Sequence, residues 1–132
     1  MARYTRAGSA PRPMSGGWEL AVWYLMRLSA LGLFVLVLAH FTIVHFIYDP
    51  AVQDANWIAA RWSGAAWRTV DWLMLTLVVF HAFMGMRTVV QDYTHGSLRM
   101  LLTMLLYLLA LLIFAMGTIG LVTFPTNIPV AS

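Results

Sequence analysis

WLMLTLVVFHAFMGMRTVVQDY, residues Trp72 to Tyr93, is apolar enough to enter a bilayer, yet it carries a histidine at its middle and Arg87, Asp92 and Tyr93 at its far end. A bilayer interior makes ionisable side chains costly, so each one kept there is a functional candidate. On a helix turning about 100° per residue, Gly85, Thr88 and Asp92 fall within roughly 40° of His81. One stripe therefore combines a candidate metal ligand, a glycine where something bulky can approach, and a polar terminus.

Composition sets the class around that stretch. Hydrophobic residues make up 61% of the 132 and charged residues 10%, with a mean hydropathy of +0.78. A soluble domain of this length could not cover so much apolar surface with so few charges. The expected fold is an all-α membrane protein, three transmembrane helices with a short interfacial helix between the first and second, and no room for a separate soluble catalytic domain. Cysteine is absent, which excludes disulfides, thiolate zinc sites, cysteine nucleophiles and cysteine-ligated iron–sulfur clusters in this chain. The net charge of +3 rests on arginine alone, since there is no lysine. Arginines grouped at helix ends fit orientation in the lipid bilayer and headgroup contact; nucleic acid is not an expected partner.

Residues 1–17 are polar, rich in Pro and Gly, and carry three arginines and no acid. The apolar run that follows is too long and starts too late for a signal peptide, so this segment reads as a flexible cytoplasmic tail, with a short mitochondrial transit segment, and hence a mitochondrial inner membrane, as the alternative. A first span is expected over residues 20–48, uncharged from Leu28 to Tyr48, which is about the length a bilayer core requires. Asp49-Pro50 ends it. His40 lies inside this span on a face shared with Ser29 and Leu33, whereas His45 sits about 140° further round. The next segment, Asn56 to Trp67, reads as a short helix lying in the membrane interface. All six tryptophans fall near predicted membrane boundaries, the aromatic-belt pattern. The second span, residues 67–92, is uncharged only from Trp72 to Met86, so Asp71 and Arg87 must reach headgroups or find partners in the protein. The third, residues 100–124, is uncharged throughout, with Gly117 and Gly120 as a close-packing point.

Orientation follows from counting arginines. With the N-terminus inside, Arg3, Arg6, Arg12, Arg27, Arg87 and Arg99 are cytoplasmic and only Arg61 and Arg68 lie outside. Asp92 and Tyr93 then reach the cytoplasmic surface, with His81 about 16 Å deeper.

The chemistry has two readings at each position. His81 is either a neutral histidine hydrogen-bonded to a neighbouring helix or an axial ligand to haem iron. In the second reading Gly85 admits the flat ring, and Arg87 or Arg27 is the cation near the propionates. His40 is either a packed histidine or a ligand, sharing one haem with His81 or serving a second. Arg87, Asp92 and Tyr93 are either an interfacial anchor or the border of a quinone site, where a phenol donates to a carbonyl and a carboxylate relays protons. His95, in the turn DYTHGSLR, reads as a solvated loop residue, and the nine methionines as packing.

HAFMGMRTVVQDY, residues 81–93, resembles the signature of the small membrane-anchor chain of succinate dehydrogenase: a histidine, a small residue, a glycine one turn on, and a closing Asp-Tyr. YLMRLSALGLFVLVLAHF, residues 24–41, is similar to the first helix of that family, with an arginine near its start and a histidine near its end. The order of spans and the tryptophan-rich connection match as well, so the resemblance covers Trp18 to Phe124.

The resemblance implies a multi-pass subunit of a bacterial plasma membrane complex. Its partners would be a second membrane-anchor subunit, an iron–sulfur subunit and a flavoprotein subunit, the last two holding the clusters, the flavin and the succinate chemistry. It implies that His81 ligates haem b, that Gly85 and Arg27 adjoin it, and that Asp92 and Tyr93 border a menaquinone or ubiquinone site. His40 matches the ligand of a second haem in two-haem relatives. Arg87 departs from the simplest apolar form of the motif. Two other classes stay in play: a cofactor-free structural or assembly protein whose histidines only pair helices, and a small transporter subunit. Transport predicts charges or broken helices at mid-membrane, and the third span has neither, which ranks it last.

Overall fold

The computed structural model describes residues 17–126, and every regular element among them is helical. Helix α1 spans Trp18–Thr42 and runs on into a wider π-type turn, Ile43–Ile47. Helix α2 is Ala55–Ser63, α3 is Ala65–Tyr93 and α4 is Gly96–Thr123. Three stretches, Trp18–Ile47, Ala65–Tyr93 and Gly96–Thr123, are long and apolar enough to cross a membrane. A helix pairs its own backbone N–H and C=O groups, which is what an anhydrous lipid interior demands. The chain is a multi-pass membrane protein. The expected tail over residues 1–17 lies, apart from Gly17, outside the described residues.

Short-range chemistry explains where the helices stop. The Asp49 carboxylate accepts from Ala51 N at 2.9 Å across the Pro50 turn, and the Asp54 carboxylate caps α2 by accepting from Trp57 N at 2.8 Å. Between α3 and α4 only Thr94 and His95 are extended. Gly96 opens α4 at φ +59°, in the left-handed region that glycine tolerates without strain. Arg99 Nε donates to the Thr94 carbonyl at 2.7 Å, closing that turn with a polar side chain. Several boundaries differ from the sequence reading, the first helix beginning at Trp18 rather than 20. The interfacial segment is broken at Gly64, so Trp67 belongs to α3 and not to the short helix. Helix α3 begins at Ala65 rather than 67. Helix α4 begins at Gly96 rather than 100, because Ser97, Leu98 and Arg99 fit a helical first turn even though they are less apolar.

Helix α3 is the middle of the bundle, packed against α1 on one side and α4 on the other. The antiparallel register with α1 can be read from side chains. Glu19 meets Arg87, Ser29 meets His81, and His40 meets Asp71. Ser29 to His40 is about 16 Å of α1, and His81 to Asp71 about 15 Å of α3, so the two helices keep step. Small residues allow the approach: a Cβ built on Gly32 would stand 3.3 Å from Leu77 Cδ1, and one on Gly117 would stand 2.7 Å from Leu75 Cδ2. Gly120 faces open space, so the close-packing point on α4 is Gly117 alone. Trp72 Nε1 also donates to Thr118 Oγ1 at 3.2 Å, tying α3 to α4.

The interior is thin. Among the described residues only Val22, Val44, Ala59, Leu121 and Ser29 are buried, while side chains such as Leu31, Phe34, Leu108 and Leu111 are well exposed. In water so large an exposed apolar surface would drive aggregation. Against lipid tails it carries no such penalty.

Candidate functional site

The polar residues of the bundle gather at three levels along the α1–α3 seam. At the middle level, Ser29 is 2% exposed and its hydroxyl lies 3.0 Å from His81 Nδ1. The same hydroxyl donates to the Met26 carbonyl at 3.0 Å. His81 Nε2 makes no hydrogen bond within the described residues and is not among their enclosed, unpartnered polar atoms. That edge of the ring therefore opens beyond this chain. One turn away, a Cβ on Gly85 would touch only Met26 Cε at 3.8 Å, an ordinary contact. Packing within the chain thus gives no reason for a residue that costs a helix about 0.5–1 kcal/mol relative to alanine. An imidazole with its inner nitrogen engaged and its outer nitrogen open, beside an unneeded glycine, is a donor set that fits an iron porphyrin held at the edge of the chain. Among the described residues no three His, Asp or Glu side chains converge into a metal cage. A haem asks this chain for one imidazole only.

The level nearest the start of α1 holds Arg87, Glu19, Asp92 and Tyr93, with Arg27 between it and the middle level. Arg87 Nη2 donates to Glu19 Oε1 at 2.9 Å, so this cation already has an acid partner from α1. Arg27 is exposed, with its guanidinium 3.4 Å from the Trp23 ring centroid, and meets no acid among the described residues. Asp92 is exposed and Tyr93 is 82% exposed at the last turn of α3. Tyr93 lies about 18 Å along the helix from His81 and about 120° round it, so the two occupy separate flanks.

The opposite end holds a clasp that sequence spacing does not reveal. Asp71 Oδ1 accepts from Arg61 Nη2 and Oδ2 accepts from Trp62 Nε1, each at 2.8 Å. His40 Nδ1 lies 3.3 Å from Arg61 Nη2 and 3.4 Å from Asp71 Oδ1. The Arg61 guanidinium is also 4.8 Å from the Trp67 ring centroid and 5.6 Å from that of Trp57. Asp71 thus finds partners in the protein, and α2 is pinned to α3 with His40 of α1 against the pair. His40 and His81 are separated by about 15 Å along the seam. Two imidazoles on one metal hold their nitrogens about 4 Å apart. The structure therefore rules out a single haem shared by His40 and His81 of the same chain. His45 stacks on Phe41 with ring centroids 4.3 Å apart, and His95 is an exposed residue before α4.

Ser29 is the residue that pattern reading placed on the right face without a role. Its signal was present: it is the one serine or threonine of α1 before Thr42.

Among curated proteins none matches this sequence. A family model does, that of the succinate dehydrogenase/fumarate reductase transmembrane subunit, and it aligns with residues 3–122. That stretch takes in α1 to α3 and nearly all of α4, so the arrangement just described is the family's own portion of the molecule, and the chain belongs to the succinate dehydrogenase/fumarate reductase transmembrane subunit family.

Proposed function

We propose that this chain is a membrane-anchor subunit that helps to hold haem b and quinone, so that electrons from succinate, released in partner flavoprotein and iron–sulfur subunits, reduce membrane quinone. The observation that carries this reading is His81, with Nδ1 engaged by Ser29 and Nε2 open beyond the chain, inside a family member. His81 would hold the iron, Gly85 would leave room beside it, and Arg27 would face the propionates. Haem b, when bound, would supply a one-electron store. Arg87 is already neutralised by Glu19, which suits it to fixing the end of α3 against α1 rather than to binding a second anion.

Quinone reduction takes up two electrons and two protons, and the exposed end of α3 carries groups suited to the protons. The Tyr93 phenol donates a hydrogen bond to a quinone carbonyl, polarising it for reduction. Asp92, beside it and exposed to the aqueous side, passes protons inward. Six arginines, Arg3, Arg6, Arg12, Arg27, Arg87 and Arg99, fall on the Tyr93 side against Arg61 and Arg68 on the other, which supports a cytoplasmic Tyr93 end. His40 is assigned to the Arg61–Asp71 clasp, so this chain contributes one haem ligand.

The test is a dithionite-reduced minus oxidised spectrum of the complex purified through a tag on this chain, with haem counted per complex. His81→Ala should remove or strongly alter the b-type signal. An unaltered signal and haem count would refute the ligand role.

A further inference from the structure

The Ser29 hydroxyl has one proton and two neighbours, the Met26 carbonyl and His81 Nδ1, both at 3.0 Å. A carbonyl can only accept. If the hydroxyl donates to Met26 O, its oxygen is left to accept, and His81 Nδ1 must carry the proton; both contacts are then hydrogen bonds. If the hydroxyl donates to His81 instead, the imidazole proton moves to Nε2, where no partner stands, and one bond is made in place of two. Ser29 is 2% exposed, so no water takes the place of the bond lost at its hydroxyl. Proton counting thus selects the imidazole with hydrogen on Nδ1 and a lone pair on Nε2.

We propose that Ser29 is the positioning residue for His81: it sets the tautomer and the ring orientation that make Nε2 a ligand. The inference rests on the ligand role proposed above for His81. A neutral imidazole binds a metal through the nitrogen that lacks hydrogen, and the bond made by the other nitrogen decides which that is. A hydroxyl performs this task without bringing a second charge into the membrane, where a carboxylate would be costly. It also draws on the Nδ1 proton less strongly than a carboxylate would, so the imidazole is less basic and the iron less electron-rich than in a carboxylate–histidine pair.

The experiment uses the whole complex purified through this chain, with Ser29→Ala, Ser29→Thr and Ser29→Cys beside His81→Ala. The readouts are haem midpoint potential, the ferric low-spin electron paramagnetic resonance signal, and the rate of haem loss to an excess of a high-affinity acceptor. Alanine removes the acceptor, so the potential should rise and haem retention should fall by about 10- to 100-fold. Threonine keeps the hydroxyl and should restore both. Cysteine, close in size and a weak acceptor, should raise the potential even if the alanine complex does not assemble. A wild-type potential in the alanine or cysteine complex overturns the proposal, as does equal disturbance by threonine and alanine, which would mean that shape rather than the hydroxyl matters. Unchanged haem in His81→Ala would instead overturn the ligand reading beneath it, so the two failures are told apart.

Discussion

Replacing Asp71 with alanine strips the clasp of its only acid and leaves Arg61 beside His40 with no counter-charge. Both side chains of the pair are 10% exposed, so water cannot substitute for what is lost. Breaking a buried ion pair from one side costs about 3–5 kcal/mol, and the lost Trp62 bond to Oδ2 adds about 1 kcal/mol. The π-faces of Trp57 and Trp67 lie against Arg61 before and after the change, which places the ion-pair cost at the low end of that range. A net loss of about 4 kcal/mol is therefore expected, and it should fall on the docking of α2, since Arg61 and Trp62 are its anchors. Hydrogen exchange of the Ala55–Ser63 amides in the purified complex should speed up by about 1,000-fold, while Ala110–Gly117 of α4 stays protected. Asp71→Asn keeps an oxygen for Trp62 but removes the charge, and should give a smaller effect. In an Arg61→Met, Asp71→Ala double variant the loss should be less than the sum of the single losses. Unchanged exchange in α2 after Asp71→Ala would refute the claim that this pair holds the short helix in place.

Two further outcomes separate packing from chemistry. Gly117→Ala would drive a methyl to 2.7 Å from Leu75 Cδ2 and should cost about 1–3 kcal/mol of thermal stability in the complex, whereas Gly120→Ala, facing open space, should be neutral or stabilise by about 0.5–1 kcal/mol; equal melting shifts for the two would contradict the α3–α4 register. Tyr93→Phe should slow quinone reduction several-fold and leave succinate oxidation with a soluble artificial acceptor intact, and a normal quinone rate would remove the phenol from the proposed mechanism.

The three spans were legible because each is a long apolar run closed by proline, aspartate or an arginine, and bilayer thickness does the rest. The break at Gly64 was less so. Its backbone is extended, at φ −86°, and the flanking alanines and tryptophans carry on a helical composition across it. The clasp could not be read at all, since Arg61 stands 21 residues from His40 and 10 from Asp71, and no periodicity links a loop helix to two spans. Face assignments within one helix were sound: His81 and Gly85 both meet the Met26–Ser29 region of α1. What pattern alone lacks is the register between helices. The partner of His81 could be named only once α1 and α3 were placed side by side.

The thinness of the interior has a consequence for biogenesis. Separating α1, α3 and α4 within the bilayer would uncover few enclosed side chains and expose no backbone to water, so the inserted but undocked chain sits close in free energy to the docked one. Synthesis of such a subunit would then yield three anchored helices before it yields a finished fold. The balance is then tipped by whatever covers the outward faces of α1 and α4. A copy made in excess of its neighbours would linger as a loose, laterally diffusing set of spans, and that state is the one membrane proteases would meet first.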